Sequence, residues 1–83
     1  MTNFKVGTVS HYYDKIGVAV VDLISDLAVG DKIKITKDNE EFEQEVSSMQ
    51  IEHDKIQLAK KGQTIGLKVD QPVKRKAEVY KVN

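Results

Sequence analysis

Apolar residues in this chain come in short runs broken by turn formers, and nowhere do they recur at helical spacing. Lys32, Ile33, Lys34 and Ile35 alternate charged and apolar, the period of a strand with one wet face. Residues 4–12 and 16–23 are rich in β-formers and flank a polar break at Tyr13, Asp14 and Lys15, which predicts an antiparallel hairpin. A turn follows over residues 26–30, with Gly30 expected at positive φ. Phe42, Val46, Met49 and Ile51 mark a long strand whose apolar parity changes midway, as a β-bulge near Ser47 and Ser48 would produce. Residues 53–59 read as irregular or as a brief helical turn, and residues 60–63 as a tight turn. Pro72 stops the strand over residues 64–69, because proline cannot donate to a ladder. Residues 78–82 alternate again. Six or seven short strands predict an all-β fold: a small closed antiparallel β-barrel, a form that leaves no exposed edges.

Eighty-three residues suffice for one domain, expected over residues 1–83, and a chain this short buries only roughly 60% of its unfolded surface. The core is expected from Val6, Val18, Val20, Ile33, Ile35, Val46, Met49, Ile51, Ile65, Leu67, Val79 and Val82. There is no cysteine, which excludes disulfides and thiolate metal sites. The longest apolar run, Val18 to Val21, is far too short to span a membrane, and the first residues lack a signal-peptide stretch, so a cytoplasmic location is expected.

No catalytic constellation stands out. None of the five glycines leads into Lys-Ser or Lys-Thr, so no phosphate-binding loop is present. Ser47 and Ser48 lie in an expected strand without the Gly-x-Ser-x-Gly turn of a nucleophile. His11 with Asp14, or His53 with Glu52 and Asp54, falls short of a metal motif. The expectation is a non-catalytic domain with no metal and no cofactor.

Charge is balanced in total but uneven along the chain. Residues 1–54 hold five bases and eleven acids, a net of −6, and residues 55–83 hold eight bases and two acids, a net of +6. In a barrel, strands of both halves intermix, which blurs this separation. Lys60 and Lys61, then Lys74, Arg75 and Lys76, form the basic clusters, of the residue types that neutralise phosphate. Tyr12 and Tyr13 are the aromatic pair available for stacking on bases. These seven residues are the expected contacts for RNA or another partner.

Three segments in order carry a resemblance: Leu27-x-Val29-Gly30-Asp31-x-Ile33-x-Ile35, then Val46-x-Ser48-Met49-Gln50, then Ala59-x-x-Gly62-Gln63-x-Ile65-Gly66-Leu67. Together they resemble the second domain of translational GTPases such as elongation factor Tu, which implies a β-barrel that touches aminoacyl-tRNA and the small ribosomal subunit. The run from His11 to Ala19, with Phe42, Glu43 and Gln44, also looks close to the terminal barrel of U32-family peptidase-like proteins. Departures from the elongation-factor pattern accompany the match. The first hairpin lacks its basic residue and glycine pattern, and Gln50 stands where an aromatic residue or histidine is usual. Lys76 and Ala77 replace the Gly-Asp turn before the last strand, which calls for different φ angles there. The resemblance thus implies a free-standing translation-factor-like barrel contacting tRNA, the ribosome or an RNA-associated partner. The alternative is a protein-docking accessory subunit acting in trans with a U32-like enzyme.

Overall fold

The computed structural model describes residues 3–52 and 54–82, and every regular element among them is a strand. In chain order these are β1 (Asn3–Tyr13), β2 (Val18–Leu23), β3 (Leu27–Ala28), β4 (Lys32–Lys37) and β5 (Glu40–Glu45), followed by β6 (Met49–Ile51), β7 (Asp54–Ile56), β8 (Leu58–Ala59), β9 (Thr64–Lys68) and β10 (Glu78–Val82). Eight of them form one antiparallel sheet in the order β5-β4-β10-β1-β2-β9-β6-β7, and β3 pairs with β8 separately. Residues 54–59, read from sequence as irregular or helical, instead carry β7 and β8; ladders of two or three residues are too short to leave a periodic signature.

The chain itself links the two flanks of the sheet. β5 pairs with β4 and β6 pairs with β9, yet both belong to one bent segment, residues 40–51. The bend falls over residues 46–48, where the parity change was read from sequence. It is a break in the ladder rather than a bulge, and Lys68 N–H donates to the Ser48 carbonyl across it. β5 and β7 stand at the ends of the pairing order, so ladder pairs do not close the sheet strand to strand among the described residues. The seam beside β5 is held by a side chain: Gln44 Nε2 donates to the Lys68 carbonyl at 2.9 Å, and Asp70 N–H donates to Gln44 Oε1 at 2.9 Å. This satisfies an amide that is only 7% exposed.

β1 bends twice, with register shifts between Lys5 and Gly7 against β10 and between Val9 and His11 against β2. Such irregularities curl a sheet around its core. At Gly7 the neighbouring strand passes so close that a Cβ would sit 2.7 Å from the Asp22 carbonyl oxygen, which only glycine allows.

The core cluster combines Val6 and Val9 of β1, Ala19, Val21 and Leu23 of β2, and Ile33 and Ile35 of β4 with Met49, Ile65, Leu67 and Val79. One expectation fails within β2: Val20 is only half-buried, while Ala19 and Val21 point inward. Val18 is buried as expected, at 8% exposure, though outside this cluster. In the run Val18-Ala19-Val20-Val21 every residue is apolar, so the pattern carries no parity. Val82 and Ile51 are likewise half-buried rather than central, Ile51 packing against the cluster.

Ion pairs join the acidic and basic halves, as intermixed strands require: Lys74 to Glu40 at 3.8 Å, Lys81 to Asp31 at 3.2 Å and Lys5 to Glu78 at 3.2 Å.

Candidate functional site

Register decides which side chains share the outer face of β1, β2, β9 and β6. Val20 stands opposite Gly66, Gly66 opposite Gln50, and His11 opposite Val20. Tyr13 stands opposite Val18, and Val18 opposite Lys68. Directly paired residues in antiparallel strands put their side chains on the same face. Since Ala19, Val21, Ile65 and Leu67 take the core, Val18 and Val20 are turned outward together with the side-chain-free Gly66.

The result is an apolar groove of about 270 Å³ on the outside of the sheet, lined by Tyr13, Ile16, Val18, Val20, Ile51 and Gly66 among others. Gly66 forms a dent in it. A Cβ there would lie 3.2 Å from Val18 Cγ1 and 3.4 Å from Gln50 Cγ, so a methyl and a methylene group already flank its backbone. At the rim, Tyr13 is 49% and Ile16 57% exposed, large apolar surface for so small a domain. His11 stacks edge-on against Tyr13, ring centroids 4.4 Å apart, and fixes the tyrosine's position. The loop carrying Ile16 is anchored twice: Lys68 Nζ donates to the Ile16 carbonyl, and Val69 N–H to the Gly17 carbonyl. Thr64 with Gln50 and Glu52 brings the polar groups of the groove.

Of the contacts expected from sequence, Tyr13 lines this groove, but Tyr12 does not join it. Tyr12 is on the opposite face of β1 and packs against the core, so the two tyrosines form no common stacking platform. Lys60 and Lys61 sit on the turn before β9, held by Gln63 and Asp26 side-chain oxygens. Lys74, Arg75 and Lys76 are exposed on the turn before β10. Thr64, Asp22, Thr8 and Glu78 make one row across four strands, with β9 running opposite to β10. Strand polarity therefore places the two basic turns on opposite sides of that row. Lys76 adopts φ 72, the left-handed region that favours glycine. The turn thus holds a lysine in a glycine-type conformation, where different angles were expected.

Among the described residues, nothing in the groove assembles a nucleophile with a base. No group of three His, Asp or Glu residues able to hold a metal occurs among the described residues, and His53 lies outside them. Lys5, then the Tyr80 hydroxyl, hydrogen-bond the Glu78 carboxylate and hold its pKa below the ordinary glutamate value.

Sequence reading missed that Val18, buried as expected, and the half-buried Val20 and Gly66 are turned to the outer face. Their signal was present, because a run apolar on both faces implies that both faces are covered, and a glycine inside a strand marks close approach.

The fold so defined is a small, curled, antiparallel all-β domain with an apolar groove on its outer face. The same fold is found in the C-terminal domain of a U32 peptidase-like protein of Geobacillus thermoleovorans, with a TM-score of 0.89 at 23% identity over 95% of this chain and 92% of that one. A selenomethionine variant of that domain gives 0.86 at 22% identity, covering 92% and 96%. In sequence, the chain is 39% identical over 77 residues, 92% of its length, to an uncharacterized protease of Methanocaldococcus jannaschii. It spans 19% of that relative's length. No family model matches the chain. The structural likeness falls on the U32 side of the sequence resemblance, and the elongation-factor side rests on the three sequence segments alone.

Proposed function

We propose that residues 1–83 form one accessory module that docks a U32-type enzyme onto its protein partner or onto its own catalytic portion, without performing chemistry itself. The observation that carries this reading is the outward apolar groove of Val18, Val20 and Gly66 rimmed by exposed Tyr13 and Ile16. An apolar side chain from a partner would remove this surface from water, with roughly 25 cal/mol per Å² favouring association. Chain-wide similarity to a protease of which this chain spans about a fifth supports a module rather than an engine. The curled sheet acts as a closed barrel in this reading, the bent segment of residues 40–51 completing the ring.

RNA contact through Lys60, Lys61, Lys74, Arg75 and Lys76 is the competing outcome. It has the opposite placement of the two basic turns against it, since a continuous phosphate track needs adjacent cations. Calorimetric titration of the catalytic portion of a U32-type protein with this chain tests the proposal. Apolar docking is expected to persist at high salt, whereas phosphate neutralisation weakens steeply. Absence of binding to the enzyme, with salt-sensitive binding to tRNA, would reverse the assignment.

A further inference from the structure

β5 leaves one edge open, and its backbone polarity and side-chain charge point to the same kind of occupant. Val46 N–H donates to the Asp31 carbonyl and Gly30 N–H to the Val46 carbonyl, so the backbone groups of Val46 face the β4 side. Backbone direction alternates along an antiparallel strand. Gln44 and Phe42, opposite Ile33 and Ile35, therefore face β4 as well, and Glu41, Glu43 and Glu45 present their N–H and C=O groups to the open edge. Among the described residues these groups have no hydrogen-bond partner. The side chains of the same three glutamates are exposed on the outer face, while Gln44 is buried and Phe42 packs on the core. Beyond the Gln44 clasp, the edge opens into a cleft of about 350 Å³, within the size range of ligand pockets, whose apolar walls are Ile35, Phe42, Pro72, Val73 and Ala77.

We propose that this edge takes up an extended segment of a partner protein in which lysine or arginine alternates with apolar residues. The added strand would pair its backbone with Glu41, Glu43 and Glu45. Its basic side chains would lie beside the three carboxylates, and its intervening apolar ones would enter the cleft. Lys34 and Lys32 already approach Glu41 and Glu43 at 3.4 and 3.5 Å, but exposed pairs of this kind are weak and leave the carboxylates open to a second cation. Lys37 and Lys74 at the cleft are matched by Asp38 and Glu40. A second copy of this chain is disfavoured, because pairing β5 with itself sets glutamate beside glutamate. This site is separate from the groove at Tyr13 and Ile16.

The test is an NMR titration of the whole chain with a capped seven-residue peptide alternating lysine and valine, against the same peptide with glutamate for lysine. The lysine peptide is expected to shift the amides of Glu41, Glu43 and Glu45 and slow their exchange with solvent, and the glutamate peptide to leave them unmoved. Glu43→Pro removes an edge-facing donor without touching the β4 ladder, and should weaken binding roughly tenfold with the fold intact. The double variant Glu43→Lys with Glu45→Lys should transfer the preference to the glutamate peptide. Ile16→Asp should leave peptide binding unchanged, which separates this site from enzyme docking. Equal response to both peptides, shifts confined to the groove around Tyr13, self-association through β5, or no response at about 1 mM peptide would overturn the proposal.

Discussion

Gln44 of β5 and Lys68 of β9 are not ladder partners, yet the Gln44 amide donates to the Lys68 carbonyl at 2.9 Å and ties the end of β9 to β5. Replacing Gln44 with leucine keeps the volume but strands the Lys68 carbonyl and the Asp70 N–H. The expected cost is about 1–3 kcal/mol in urea titration. Loss of Asp70 amide protection in hydrogen exchange should accompany it.

Ile33 of β4 and Leu67 of β9 are both fully buried in the core. Each alanine variant should lose about 2–5 kcal/mol, and a cost under roughly half a unit would remove that residue from the core. Val20→Ala is the informative contrast. Half-buried on the outer face, it should cost markedly less than Leu67→Ala.

Lys76 holds φ 72 on a side-chain-bearing residue, a conformation that disfavours L-residues by about 1–2 kcal/mol. Lys76→Gly should therefore raise stability, the gain being reduced by the added flexibility of the unfolded chain. A higher urea midpoint is the expected reading.

Glu78 is ionised more readily in the folded protein than in the unfolded chain, because Lys5 and Tyr80 bind its carboxylate. Its contribution is present above the unfolded-state pKa and is lost as pH falls through the lowered folded value. Lys5→Met should move the Glu78 titration back toward the ordinary glutamate range, read by carboxyl NMR shifts. It should also flatten the acid limb of stability against pH.

Strand positions were legible where several residues alternate with one wet face, and not in the two- and three-residue ladders of β7 and β8. The alternation through Lys32 and Ile35, the Gly30 turn and the tight turn over residues 60–63 all stand where the pattern placed them, Gly30 at φ 98 and Gly62 at φ 89. The facing of β2 was not legible, since valine and alanine occupy both of its faces. That ambiguity hid the groove: Val20, assigned to the core, is half-buried on its wall, and Val18, buried as assigned, is turned to the same side. The separation of the basic turns was equally hidden. It depends on the relative direction of β9 and β10, set by pairings across β1 and β2 and by nothing local to either lysine cluster.

The most direct test of the docking assignment maps amide shifts of the isotopically labelled chain as the catalytic portion of a U32-type protein is added. Shifts and broadening are expected at Tyr13, Ile16, Val18, Val20, Gln50 and Gly66, with Ile16→Asp abolishing them while the rest of the spectrum stays folded. Shifts confined to residues 60–61 and 74–76, or none at saturating enzyme, would contradict it.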